Sequence, residues 1–186
     1  MNIETRRWMA KDGIEFFKEI GIKSGQIILD FGCGRGHYSI PAAKATGRDG
    51  KVYALDKDKE ILNELEGIVK EENIKNIELI HANLKIPFPE NFFDVVLCYD
   101  VIHYEDKQNR RVIYNEVHKV LKENGLFSVY PKHHKNDYPF DRLANVQLEE
   151  IIEEIEKCEF SLDHKGAKRL LHDDYYNNGL LLNFRR

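Results

Sequence analysis

Apolar positions along the chain fall into two alternating patterns. Short runs dense in Ile, Leu, Val and aromatic residues, bounded by Gly, Asn or Asp, read as buried strands. Such runs are residues 27–30, Lys51–Asp56, residues 76–81, Phe93–Tyr99 and residues 126–130. Between them lie segments whose apolar residues recur at helical spacing and mark a core-facing stripe. Residues 59–69 carry Ile61, Leu62, Leu65, Ile68 and Val69, and residues 108–121 carry Ile113, Val117, Val120 and Leu121. Residues 146–157 carry Leu148, Ile151, Ile152 and Ile155 in the same way, and residues 37–45 continue from the first strand as a helix. Asn124-Gly125 suits the C-cap of the helix over 108–121. At the N-terminus, residues 7–20 show a mixed helical pattern with Met9, Ile14, Phe16, Phe17 and Ile20, joined by Trp8, the only tryptophan. This segment either packs on a sheet edge or helps to close a site. Strands alternating with helices predict an α/β chain with a mostly parallel sheet, and the right-handed crossover rule leaves few arrangements.

Composition narrows the class. At 186 residues the chain is most simply one domain, with 42% hydrophobic and 32% charged residues, as in a soluble globular protein. A net charge of −4, with Lys and Arg never in blocks longer than two, argues against a long footprint on nucleic acid. Cys33, Cys98 and Cys158 are isolated and odd in number, so they read as reduced core thiols and not as a disulfide frame or zinc site. No apolar run approaches a membrane span and the N-terminus does not read as a signal peptide, so a cytoplasmic location is expected.

The most informative stretch is Asp30-Phe31-Gly32-Cys33-Gly34-Arg35-Gly36. Glycines at alternate positions allow a tight turn at positive φ and let a ligand approach the main chain. The following helix points its free N–H groups at the same place. The spacing differs from the G-x-G-x-x-G of a nicotinamide site, and no Gly-Lys-Ser/Thr follows. Asp30, just before the first pair of glycines, would repel phosphate and suits a ligand bearing positive charge.

This string resembles motif I of the class I S-adenosylmethionine-dependent methyltransferases, whose loop wraps the methionine part of the cofactor. The resemblance runs from Gly21 to about Tyr130 and implies a doubly wound, Rossmann-like, seven-stranded and mostly parallel sheet with a terminal antiparallel strand. Asp56, ending the second strand, is placed for the ribose hydroxyls, since a carboxylate accepts both hydrogen bonds; it could equally serve as an N-cap for the next helix. The family's acid after the third strand is absent, and Asn83 or Ala82 stands there, with an amide carbonyl still able to accept from the adenine amino group. Leu84 could pack on the ring. The resemblance thus implies cofactor contacts from Asp30, Gly32, Gly34, Gly36, Asp56, Lys57, Asn83, Leu84 and Tyr99. Glu-Asn-Gly at 123–125 replaces the family's Pro-Gly-Gly, far from the cofactor.

The acceptor side is less defined. No Asn/Asp-Pro-Pro-Tyr motif, clustered magnesium-binding acids or paired arginine-methyltransferase glutamates are present, and Val-Ile-His-Tyr after the fourth strand resembles the small-molecule enzymes of quinone-biosynthesis type. His103, Tyr104 and His133 are the candidate bases. His103, His133, His134 and His172 could converge on a divalent metal, but a solvated polar rim is the commoner outcome, and no metal is expected. Residues 159–165 and 179–184 can form the terminal hairpin, with Leu171–Tyr176 between them near the acceptor side.

The expectation is a single class I domain over 1–186. Within it, 1–24 form an N-terminal helical segment, 25–131 the cofactor-binding core, and 132–186 the acceptor-side helix and terminal hairpin. It would transfer a methyl group in line to a small or carrier-bound acceptor. The alternative is a non-catalytic S-adenosylmethionine-binding subunit of a partner enzyme. With no inserted cap domain, a homodimer or partner subunit could cover the acceptor site.

Overall fold

The computed structural model describes residues 1–135 and 146–186. Seven strands form one sheet in the order β3-β2-β1-β4-β5-β7-β6. In chain order they are β1 Ile27–Phe31, β2 Lys51–Asp56, β3 Ile77–His81, β4 Phe93–Tyr99, β5 Leu121–Tyr130, β6 Ser161–His172 and β7 Tyr175–Arg185. The helices are α1 Ile3–Arg7, α2 Gly13–Glu19, α3 Ser39–Thr46, α4 Lys59–Glu71, α5 Lys107–Val120 and α6 Leu148–Glu156. The chain divides into two compact units, Met1–Asn83 with Arg169–Asn177, and Leu84–Lys168 with Asn178–Arg186. No helix among the described residues is long and apolar enough to cross a membrane.

In the first unit β1, β2 and β3 pair in parallel, with Leu29 opposite Tyr53 and Ala54 opposite Leu79. Ile28 and Leu29 are both buried, as expected of a strand covered on both faces. The Asp58 side chain caps α4 by accepting from Glu60 N–H (2.8 Å) and Ile61 N–H (3.3 Å), and Leu62 and Leu65 supply its buried side. The N-cap role considered for Asp56 therefore falls to Asp58.

The N-terminal segment departs from the simple helix expected over 7–20. It starts earlier, at Ile3, with the Asn2 side chain accepting from Thr5 N–H (2.9 Å), and widens into a π-helical turn at Trp8–Asp12 before α2. The cause lies in tertiary packing. Trp8 is buried, donates its indole N–H to the His37 carbonyl (2.8 Å), and meets Tyr38 edge-on at 5.4 Å between ring centres.

The hairpin strands also run further than their apolar residues suggest, and Leu171–Tyr176 is the tip of that hairpin, not a long loop. Residues 169–177 cluster with the first unit. There the Leu171 carbonyl accepts from the Tyr38 hydroxyl (2.5 Å), the Asp174 carbonyl from the Asn2 amide (2.6 Å), and Asp12 from the Tyr176 hydroxyl (2.5 Å).

In the second unit β4 and β5 are parallel, whereas β5 and β7 are antiparallel, Phe127 facing Phe184. The register shifts between Phe93↔Leu121 and Val95↔Leu126. The four residues 122–125 thus stand against the single Asp94, so β5 bulges there, and Asn124 takes φ +60. The Asn124-Gly125 C-cap expectation is corrected on this point, because α5 ends at Val120 and Leu121 is already extended. Between α5 and α6, Arg110 makes a two-pronged pair with Glu154 (2.9 and 2.8 Å), so two buried charges satisfy each other. The three cysteines are buried and none is in a disulfide.

Candidate functional site

The first unit carries the glycine turn. β1 brings Asp30 inside, where it is 2% exposed and accepts a 2.5 Å hydrogen bond from the Ser39 hydroxyl at the start of α3. Burial pushes its carboxyl up from 3.8 to about 7, with Ser39 opposing the rise and the charge of Asp56 adding to it. Gly32 and Cys33 both donate their N–H groups to the Leu55 carbonyl (2.8 and 3.0 Å), which folds the turn back over the end of β2. Gly32, Gly34 and Gly36 lie at φ +75, +52 and +79. At Gly36 a Cβ would also stand 2.3 Å from a methyl of Leu65, so both conformation and space require glycine.

Asp56 is held by the main chain on both oxygens. Gly34 N–H donates to its Oδ2 and Asp58 N–H to its Oδ1, each at 2.9 Å. Two backbone dipoles therefore aim the carboxylate at the turn, and its remaining lone pairs can serve a diol. Lys57 and Asn83 are exposed, and the Lys57 carbonyl lies 3.1 Å from His81 Nε2. His37, after the turn, stands 3.8 Å from Asp174 Oδ1. Burial lowers its imidazole, with Asp174 opposing. Burial likewise drives the Cys33 thiol well above its ordinary value, which removes it as a nucleophile.

The second unit carries the candidate bases. Tyr99 is buried, its hydroxyl 2.7 Å from Ser128 Oγ, which in turn donates to Asn183 Oδ1 at 2.7 Å. Leu84, which opens this unit, is half-buried. After Tyr99 the chain turns sharply. Asp100 sits at φ +61 with its N–H on the Tyr130 carbonyl (2.9 Å), and His133, just beyond β5, sits at φ +58. Left-handed backbone costs a non-glycine residue roughly 1–2 kcal/mol, and such residues gather where function over-determines them.

These two turns bring their side chains together. Asp100 Oδ1 lies 3.5 Å from His103 Nδ1 and 4.0 Å from His133 Nε2, and the two imidazole centres are 4.6 Å apart. Both rings are buried, whereas Tyr104 is 64% exposed and rests its ring 3.9 Å from that of His103. Of the four histidines considered for a metal, His103 and His133 thus meet in this unit. His134 is buried in the same unit, and His172, in the first unit, lies 3.7 Å from Asp173 Oδ2. Sequence reasoning passed over Asp100. Its only local signal is an acid at a strand end directly before Val-Ile-His-Tyr.

Comparison with known proteins gives these features a family. The model of a methyltransferase domain matches residues 28–125. A demethylmenaquinone methyltransferase of Geobacillus sp. (strain WCH70) is 36% identical over 110 residues, which is 58% of this chain and 46% of that protein. The protein of the same name from Geobacillus stearothermophilus is 32% identical over 114 residues, 60% of this chain and 47% of its own length. The chain spans about half the length of these relatives. Among solved structures, a SAM-dependent methyltransferase from Aquifex aeolicus superposes with a TM-score of 0.75 at 24% identity, covering 95% of this chain and 92% of its own. A protein from Pyrococcus horikoshii OT3 superposes with 0.73 at 19% identity, covering 99% and 92%. At these identities the two structures speak for the fold alone. The domain match covers more than half of the chain, through the glycine turn, β2 and the end of β4, and by it the chain belongs to the methyltransferase-domain family.

Proposed function

We propose that the protein is an S-adenosylmethionine-dependent methyltransferase acting on a small or carrier-bound acceptor, with a quinone-type ring as the leading class because of the names its relatives carry. The observation that carries this reading is the Asp56 carboxylate, fixed at 2.9 Å by the N–H of the central glycine of the turn. The residues present fit the cofactor. Asp30 is a buried acid whose ionisation is resisted until a cation joins it, and an ammonium or sulfonium group is such a cation. Asp56 offers the diol acceptor, and the three glycines leave the main chain open to close approach.

Asp30, Gly32, Gly34, Gly36, Asp56, Lys57 and Asn83 would hold the cofactor. When bound, it supplies a methyl group on a positively charged sulfur, already activated for in-line displacement. The chain then has three tasks: to align the acceptor, to keep water away, and to take a proton where the acceptor must lose one. His103, His133 and Tyr104 are the candidates for the last. Their rank follows burial, since a buried imidazole acts in a lower dielectric than a phenol at the surface.

Calorimetric titration with S-adenosylmethionine, S-adenosylhomocysteine and NADH, repeated on Asp56→Ala, tests the cofactor half. Binding of the first two, absent for NADH and lost in the variant, is the expected result. Binding of NADH alone would sink it.

A further inference from the structure

One of the two N–H groups that hold Asp56 belongs to a peptide that is itself gripped from its other side. That peptide joins Lys57 to Asp58. Its N–H donates to Asp56 Oδ1 at 2.9 Å, and its carbonyl lies 3.1 Å from Nε2 of His81, the last residue of β3. We propose that His81 is a positioning residue of the cofactor site: its Nε2–H holds the carbonyl of the Lys57–Asp58 peptide, and the N–H of that peptide aims the Asp56 carboxylate at a ribose diol. The diol comes from the S-adenosylmethionine reading, on which this role rests for its ligand. The clamp itself involves residues of the chain alone.

The direction of the histidine bond follows from its acceptor. A carbonyl oxygen only accepts, so the ring nitrogen facing it carries the proton. Neutral His81 is therefore the Nε2–H tautomer, and its imidazolium would donate the same way. The planar peptide passes the effect on. A peptide whose oxygen accepts a hydrogen bond is a better donor at its N–H, and a bond at each end fixes the tilt of the plane.

The strands place the ring where this requires it. β2 and β3 pair in parallel with Asp56 opposite His81, and Ala82 N–H donates to the Asp56 carbonyl at 3.1 Å. The main chain of Asp56 is thus tied to the residue after His81, and its side chain is tied through the peptide that His81 holds. Gly34 N–H on Oδ2 adds the bond from the glycine turn. Asp58 also caps α4 with its side chain, so the clamped peptide is the joint between that helix and the carboxylate. All these residues belong to the first unit. Lys57 and His81 are exposed, so water competes for the bond and a several-fold effect on affinity is expected, well short of that of removing Asp56.

The test combines spectroscopy and calorimetry on the full chain. Long-range ¹H–¹⁵N spectra without ligand, at a pH where the ring is neutral, are expected to show His81 as Nε2–H. His81→Phe keeps a ring and removes the donor, whereas His81→Gln offers an amide N–H in its place. The Asp58 amide proton should move upfield in His81→Phe and stay near its wild-type position in His81→Gln. Both variants should melt within about 2 °C of wild type, as expected of an exposed position. By calorimetry S-adenosylhomocysteine should bind His81→Phe about 3- to 10-fold more weakly than wild type, and His81→Gln within about twofold of it. An Nδ1–H tautomer in the wild type, or an Asp58 amide unmoved in His81→Phe, overturns the proposal. So does equal affinity of wild type and His81→Phe, or a loss in His81→Gln as large as that in His81→Phe. Because the tautomer and the Asp58 amide are read without ligand, a chain that shows both as stated and binds no S-adenosylhomocysteine would overturn the cofactor reading and leave the clamp standing.

Discussion

The glycine turn and the histidine cluster solve the placement of a carboxylate in opposite ways. In the first unit Asp56 is tied at 2.9 Å on both oxygens, and Asp30 at 2.5 Å on one, chiefly by main-chain N–H groups and a short hydroxyl. In the second unit Asp100 reaches its two partners at 3.5 and 4.0 Å, and all three groups are side chains on turns at strand ends. Recognition of a fixed ligand can be built into backbone geometry, which tolerates little change. Chemistry on a variable acceptor is better carried by side chains that one substitution can retune.

The sharpest way to break this contrast is at Gly36. Gly36→Ala adds a methyl 2.3 Å from Leu65 in a left-handed position, and should cost about 3 kcal/mol in a thermal or urea melt, summing overpacking and backbone strain. Gly67→Ala, in α4 with open space around it, should instead stabilise by about 1 kcal/mol. A Gly36 variant that melts like wild type would mean that the turn is not the rigid element described. Next comes Asp56→Ala, which removes charge-assisted acceptors and should weaken S-adenosylmethionine binding about 100-fold by calorimetry, close to 3 kcal/mol.

A smaller effect concerns pH. Asp30 titrates at about 7 in the folded chain against 3.8 when unfolded. Between those values the folded state holds a proton that the unfolded state has lost, so stability falls as pH rises from about 4 to about 7 and levels off above. The slope is at most about 1.4 kcal/mol per pH unit, and Asp30→Asn should flatten it in urea melts at pH 5 and 8. A cationic ligand favours the ionised form, so its affinity should rise through the same range, also flattened in Asp30→Asn. The smallest effect is expected at Tyr104→Phe. Its exposed hydroxyl should change turnover less than about threefold, and a larger loss would move the base from imidazole to phenol.

What could be read from the residues alone tracks how local each determinant is. Lys51–Asp56 and Phe93–Tyr99 were legible to the residue, because dense apolar runs end there on acids and turns. The seven-stranded, mostly parallel sheet with an antiparallel terminal strand followed from motif order. The long hairpin was hidden because Asp163, His164, Lys165, Lys168 and Arg169 interrupt any apolar alternation, and pairing with a neighbour holds those residues extended. The π-turn at Trp8–Asp12 is set by what the indole packs against 29 residues later. Asp100 escaped notice for the same reason. A positive φ and a histidine from the next strand's end leave no trace in the six residues around it.

The hairpin tip has a consequence for how the molecule comes into being. Residues 169–177 supply acceptors for Tyr38 and Asn2 and the phenol that Asp12 binds, so the unit containing the glycine turn is not a continuous stretch of chain. A fragment ending at residue 83 would hold the whole turn and yet lack those partners. During synthesis the same is true in time: the segment that emerges first must wait, its tyrosine and asparagine still hydrated, until residue 177 has cleared the ribosome. The most recognisable half of the protein is also the half completed late.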